Sequence, residues 1–284
     1  MPTTTIDGLT TRYEVTGDGP PLLLFSPGGF NATLENWATH GVYRITGIVE
    51  RLAERFTCIA YDRREAGRSG GRVERIGWAH YAAQGAGLLD HLGIGRAFVM
   101  GGCVGASVAT TFAVQYPERT CGMVLYSPAG GARYRMTQHR RFADHAAFAA
   151  ANGLAAVVAR ARGSDAGFGA DAAVGPWAPV LRRDPDFAAA YSGLDPERYR
   201  TVLDGLVRTM FDRDTVPGPE PEDLLASDVP ALVVPGQDSS HARSAAWFLH
   251  ECLHGSQLWN VPVAEQTQET APERVLRFLV EHGG

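Results

Sequence analysis

The stretch that decides the reading is Ala97-Phe98-Val99-Met100-Gly101-Gly102-Cys103-Val104-Gly105-Ala106-Ser107. The short apolar run Ala97–Met100 predicts a buried strand. A helical pattern over Val104–Tyr116 follows at once and stops at Pro117. A residue held on so tight a strand-to-helix turn needs small residues two before and two after it, because neighbouring backbone approaches there. Glycine stands at both places, Gly101 and Gly105. Such a turn lifts the Cys103 sulfur above the sheet and aims it at the N-terminus of the next helix. Free N–H groups and positive potential at that end favour a thiolate and a nearby oxyanion. The other three cysteines, Cys58 and Cys121 in apolar strands and Cys252 in an amphipathic helix, read as packing residues.

The same alternation extends to both sides. Pro21–Phe25, Phe56–Tyr61, Gly122–Tyr126, Ala231–Val234 and Gln257–Val261 have the length and apolar content of strands. Tyr43–Arg55, Tyr81–Leu92, His241–Leu253 and Pro272–Glu281 carry helical spacing. Continuous apolar runs separated by helices predict an α/β protein whose parallel sheet is covered on both faces. From 132 to 227 the strand signal disappears. An Ala- and Arg-rich segment of helical spacing takes its place, so this span reads as a helical insertion.

Composition narrows the function classes. The chain has 284 residues with 45% hydrophobic and 20% charged, enough for a real core. A net charge of −5 offers no electrostatic footprint for nucleic acid or an anionic membrane. No run approaches the roughly 18–20 apolar residues of a bilayer span, and MPTTTIDGLT lacks the pattern of a signal peptide. With four cysteines and no C-x-x-C, a reducing, cytoplasmic setting is expected. Neither a G-x-G-x-x-G nor a G-x-x-x-x-G-K-[ST] stretch is present, and no H-E-x-x-H or Cys/His cluster suggests a metal. The expected partner is a small-molecule substrate, with no cofactor; the oligomeric state is not readable.

Taken together, the glycine-flanked elbow, Pro27-Gly28-Gly29 after a strand, Asp62-Arg63-Arg64-Glu65-Ala66-Gly67-Arg68-Ser69 and Gly236-Gln237-Asp238 resemble the α/β-hydrolase fold family. Cysteine stands for the usual serine of G-x-S-x-G, Ser26-Pro27 for a common His-Gly, and Glu65 for the first glycine of D-x-R-G-x-G-x-S. The resemblance implies a mostly parallel, eight-stranded sheet flanked by helices. It also implies a core at 1–131 and 228–284, with a helical cap at 132–227. It places the oxyanion loop after the third strand, so the backbone N–H groups of Val104 and of Gly29 or Phe30 are expected to hold an oxyanion.

In this family a histidine normally follows the last strand. Here that stretch reads Val261-Pro262-Val263-Ala264-Glu265-Gln266-Thr267, without one. His241, three residues after Asp238, could reach Cys103 from the loop after the seventh strand, with Asp238 orienting it; a simple helix-start histidine is the other reading. Glu265 is the alternative base. Its charge would raise a neighbouring thiol pKa, while burial would fit the carboxyl itself to shuttle a proton. His40 is a weaker candidate, and His139 and His145 fall in the cap.

Three functions stay open. One is hydrolysis of an ester, lactone, thioester or C–C bond through an acyl-enzyme on Cys103. Another is a non-hydrolytic reaction such as acyl transfer, a lyase step, cyclisation or isomerisation, which the loss of the usual base favours. The last is plain binding of a small apolar ligand. Aromatic residues of the insertion (Phe142, Phe168, Phe211) offer apolar walls, and Arg133, Arg135 and Arg140 cluster near its mouth. They suggest an apolar substrate bearing one carboxylate or phenolate.

Overall fold

Fully apolar strand runs need cover on both faces, and the computed structural model, which describes residues 1–283, provides it. The strands are β1 (Thr3–Ile6), β2 (Leu9–Thr16), β3 (Pro21–Phe25), β4 (Thr57–Tyr61), β5 (Ala97–Gly102), β6 (Thr120–Tyr126), β7 (Ala231–Val234) and β8 (Gln257–Leu258). They form one eight-stranded sheet in the order β1-β2-β4-β3-β5-β6-β7-β8. Strands β3 to β8 run parallel to one another, while β2 pairs antiparallel with both β1 and β4. Side chains alternate between two apolar layers. Leu23, Phe25, Val99, Leu125 and Val233 pack into one, and Leu22, Leu24, Met100, Val124 and Leu232 into the other.

Differences from the sequence reading have local causes. The hairpin β1–β2 was not anticipated from apolar runs, because its strands are Thr-rich and half exposed. Its turn, Asp7-Gly8, has φ of 49° and 69°, as a two-residue hairpin loop requires. The helix expected over Tyr43–Arg55 is two pieces, Gly41–Thr46 and Ile48–Leu52, divided at Gly47 in the left-handed region (φ 54°). The last strand is two residues long rather than five, and only Trp259 N–H continues the ladder, to Val233 O at 2.9 Å. The helix expected from His241 begins at Arg243, which leaves His241 in the preceding loop.

Between β6 and β7 the chain is helical, with Ala132–Asn152, Leu154–Arg162, Ala178–Arg183, Pro185–Ser192, Pro196–Met210 and Pro221–Leu225 as its α-helices. Two of these starts are written locally. Asp184 and Asp195 accept hydrogen bonds from the N–H groups of Phe187 (2.9 Å) and Arg198 (2.8 Å), each with proline in the first turn. No single helix among the described residues is long and apolar enough to cross a membrane.

The elbow depends on close approach. A Cβ at Gly105 would lie 1.9 Å from Phe25 O, and one at Gly101 would lie 2.2 Å from Gly105 O. Gly101→Ala and Gly105→Ala should therefore each cost about 3 kcal/mol or more of stability, as backbone clashes without a yielding side chain do. Gly95→Ala, where nothing lies within 4 Å, should leave the urea midpoint unchanged. Equal midpoints for all three variants would contradict this account of the turn.

Candidate active site

Cys103 follows directly on β5 with φ of 54°, a left-handed conformation uncommon for a side chain with a Cβ. Hydrogen bonds hold the residue there. Its N–H donates to Tyr126 O (3.1 Å), and its carbonyl accepts from Ala106 and Ala129 N–H (3.1 Å each). Tyr126 O also accepts from the Tyr43 hydroxyl (3.0 Å), so the end of β6 is fixed from two sides. The residue as a whole is half-buried.

The loop after β7 supplies His241 and Asp238. Asp238 Oδ1 accepts from Ser240 N–H (2.8 Å) and His241 N–H (3.0 Å), a local turn that folds the histidine back over its own carboxylate. His241 Nδ1 then meets both Asp238 oxygens at 2.9 and 2.8 Å. This fixes Nδ1 as the donor and leaves Nε2 for another partner. The loop is tied to the loop after β6 by Gly130 N–H on Ser240 O (3.0 Å). A Cβ at Gly236 would stand 2.4 Å from His241 Cβ, so glycine is required for this packing.

His241 Nε2 is buried and forms no aligned hydrogen bond, and the group it faces is the Cys103 thiol. Burial alone would raise the thiol pKa. His241, with the Val104 and Gly28 amides, outweighs burial and lowers it. Burial correspondingly lowers the imidazole pKa, but Cys103 and then Asp238 raise it to about 9. Asp238 is largely exposed; its desolvation is outweighed by His241 and the Ser240 amide, and its pKa falls. The arrangement favours a thiolate beside an imidazolium.

The remaining expected residues divide. The backbone of Val104 and of Gly28 helps to lower the Cys103 pKa. Gly28, Gly29, Phe30 and Val104 all line the neighbouring cavity. Glu265 is exposed on a one-turn helix, and its side chain makes no hydrogen bond or ion pair among the described residues. Its neighbour Gln266 is buried. It accepts from the Tyr126 hydroxyl (2.8 Å) and donates to Pro235 O (3.3 Å). A neutral amide thus braces the ends of β6 and β7. His40 is exposed and pairs with Thr39. His139 meets Phe211 O at 2.9 Å. His145, expected at the surface or against substrate, is fully buried between Ala172 O (2.8 Å) and the Tyr199 hydroxyl (2.6 Å), and burial lowers its pKa to about 4.

A cavity of about 80 Å³ lies between the loop after β3 and the inserted helices, with Val104, the residue after Cys103, in its wall. Phe30, Phe168, Met210 and Phe211 give it an apolar wall, and Arg63, Tyr134, Gln138 and Arg141 bring polar groups to it. Phe30 stacks edge-on against Phe142 (5.4 Å) and Phe168 (5.7 Å). The expected arginine cluster is displaced. Arg133 and Arg140 are exposed and Arg135 pairs with Asp214 (3.1 Å), while Arg141, one residue on, faces the cavity. Sequence reasoning assigned nothing to Arg63, although it was visible in Asp62-Arg63-Arg64. A wider depression of 1050 Å³, lined by Arg51, Arg55, Glu273 and Arg277 among others, is open to solvent and touches none of these groups. No cluster of three or more metal-ligating side chains occurs among the described residues.

Comparison with known proteins agrees with the architecture. The chain is 33% identical over 125 residues to the dihydrolipoyllysine-residue acetyltransferase component of the acetoin cleaving system of Cupriavidus necator, covering 44% of this chain and 31% of that one. The chain thus spans about a third of the length of the first curated relatives it matches. Among solved structures, a meta-cleavage product hydrolase from Pseudomonas fluorescens IP01 superposes with a TM-score of 0.61 at 20% identity, over 100% of this chain and 97% of that one. An enol-lactonase from Burkholderia xenovorans LB400 superposes with a TM-score of 0.63 at 19% identity, over 98% and 100%. At such identities these two share the fold alone. The family profile described as alpha/beta hydrolase fold matches residues 21–165, half of the chain, and with the eight-stranded sheet and its elbow it makes this chain a member of the α/β hydrolase fold family.

Proposed function

We propose that the protein is a cysteine-nucleophile hydrolase of a small, largely apolar carbonyl compound, with Cys103 as nucleophile, His241 as acid and base, and Asp238 as orienter. The observation that carries the reading is His241 Nδ1 held by both Asp238 oxygens while Nε2 faces the Cys103 thiol. The Cys103 thiolate attacks the carbonyl carbon, and the carbonyl electron pair moves onto oxygen. The amides of Val104 and Gly28 stabilise that oxyanion before any solvent could reorganise. As the tetrahedral intermediate collapses, the His241 imidazolium gives its Nε2 proton to the leaving group, and an acyl-thioester remains on Cys103. Neutral His241 then takes a proton from water, the hydroxide adds to the thioester, and thiolate leaves. The inserted helices act as a cap that keeps the site apolar.

One observation favours a second reading. The likeness to an acetyltransferase component points to acyl transfer, in which an alcohol or thiol replaces water in the second step. Product analysis with and without an added acceptor separates the two.

Cys103→Ala should lower kcat at least about 1,000-fold while circular dichroism stays unchanged, as loss of a nucleophile does. Mass spectrometry of wild-type protein with a slow ester should find the acyl group on Cys103. Full turnover by the alanine variant would falsify covalent catalysis.

The working form is thiolate with imidazolium, so activity should rise as the thiol ionises, below its ordinary pKa. It should fall as His241 loses its proton at about pH 9. Asp238→Asn removes a charge that raises the imidazole pKa and should move that alkaline limb downward. His241→Ala should slow iodoacetamide alkylation of Cys103 at neutral pH, and Glu265→Gln should not. The opposite pattern in the last pair would transfer the base role to Glu265.

A further inference from the structure

Three arginines are buried among the described residues: Arg12, Arg63 and Arg64. Two of them have carboxylate partners. Arg12 pairs with Asp62 (3.1 Å) and with Glu35, and Arg64 with Glu65 (3.0 Å) and with Glu74. Arg63 is only 5% exposed and has no carboxylate within ion-pair distance. Its Nη2 donates to Gly29 O, and its guanidinium lies 4.2 Å from the Tyr81 ring centroid. Nε and Nη1 are buried with no acceptor at all. A buried cation costs several kcal/mol unless its charge and its donors are met. One carbonyl and one ring face meet only part of that requirement.

The place of this unmet cation matters. Arg63 lines the same cavity as Gly28, Tyr134 and Val104, the residue that follows Cys103 in the chain. Across the cavity Arg141 adds a second guanidinium, held by Gln138 Oε1 (2.9 Å) and Gly169 O (3.3 Å). The Tyr134 phenol stands within the field of Cys103, Arg63 and Arg141 together. Two cations and a phenol converging on a small, otherwise apolar cavity complement one compact anion. A planar guanidinium with neighbouring free N–H groups matches a carboxylate best.

We propose that Arg63, assisted by Arg141, is the receptor for a carboxylate carried by the substrate, so that the protein selects anionic acyl compounds over their neutral counterparts. The inference rests on Cys103 and the cavity beside it being the reacting site. It assigns Arg63 a role beyond its bond to Gly29 O, which by itself would make Arg63 a loop brace.

Two small alkylating reagents separate these roles. Iodoacetate carries the carboxylate and iodoacetamide is its neutral isostere. Wild-type Cys103 should react faster with iodoacetate, reversing the usual preference of an exposed thiol. Arg63→Met should lower the iodoacetate-to-iodoacetamide rate ratio by about tenfold or more, the scale of a charge-assisted hydrogen bond. Arg63→Lys should restore part of that ratio. A loop brace predicts that both rates change together, so an unchanged ratio overturns the proposal. A second measurement needs neither a reactive thiol nor the methionine variant. Cys103→Ala protein, titrated by NMR with butyrate and with butyramide, should bind butyrate about tenfold tighter or more. Equal affinities there also overturn it. Failure of the hydrolase reading shows separately, as the absence of an acyl group on Cys103.

Discussion

The site depends on one steric constraint: the backbone around Cys103 must pass closer to its neighbours than any Cβ allows. Gly105 lies against Phe25 O, and Gly101 against the carbonyl of Gly105 itself. Only this approach lets β5 turn into a helix within two residues, Cys103 and Val104, with Cys103 at φ 54°. The strain is held by three backbone hydrogen bonds to β6, the following helix and the loop beyond. In exchange, the sulfur stands over the sheet beside the amides of Val104 and Gly28.

A second constraint follows from the short last strand. Two residues of β8 leave the segment after it irregular, and Gln266 is drawn into the core to satisfy the Tyr126 hydroxyl and Pro235 O. A buried amide in that position holds the ends of β6 and β7 but has no basicity. The acid–base group in the proposed mechanism therefore comes from the preceding loop. There a local turn around Asp238 aims His241, and Gly236 gives it room. Base and orienter are only three residues apart, so their pairing needs little help from the rest of the chain. The loop that carries both is tied to the loop after β6 by Gly130 N–H on Ser240 O.

Glu65 illustrates how the family pattern bends without breaking. It occupies a glycine position, keeps the positive φ (68°) that glycine would supply, and is buried against Arg64. Burial raises its carboxyl pKa to about 7, against Arg64 and the Arg72 amide. Asp62 anchors the same loop through Arg12, Leu34 N–H and Arg68 N–H. The loop thus delivers Arg63 to the cavity beside Asp62, Arg64 and Glu65, all three of which are ion-paired.

Local chemistry alone determined much of this protein. Apolar runs of strand length, helical spacing between them, glycines around Cys103 and the switch to helix at 132 were enough to read a covered parallel sheet with an elbow and an insertion. The pairing of Asp238 with His241 was also readable, because three residues of turn suffice to form it. Tertiary structure decided whatever depends on groups distant in sequence. It turned Glu265 to solvent and Gln266 inward, and buried His145. It also left Arg63 without a carboxylate while its neighbour Arg64 found two. These outcomes depend on angles between loops and on competition for a few buried partners, quantities that spacing along one chain does not encode.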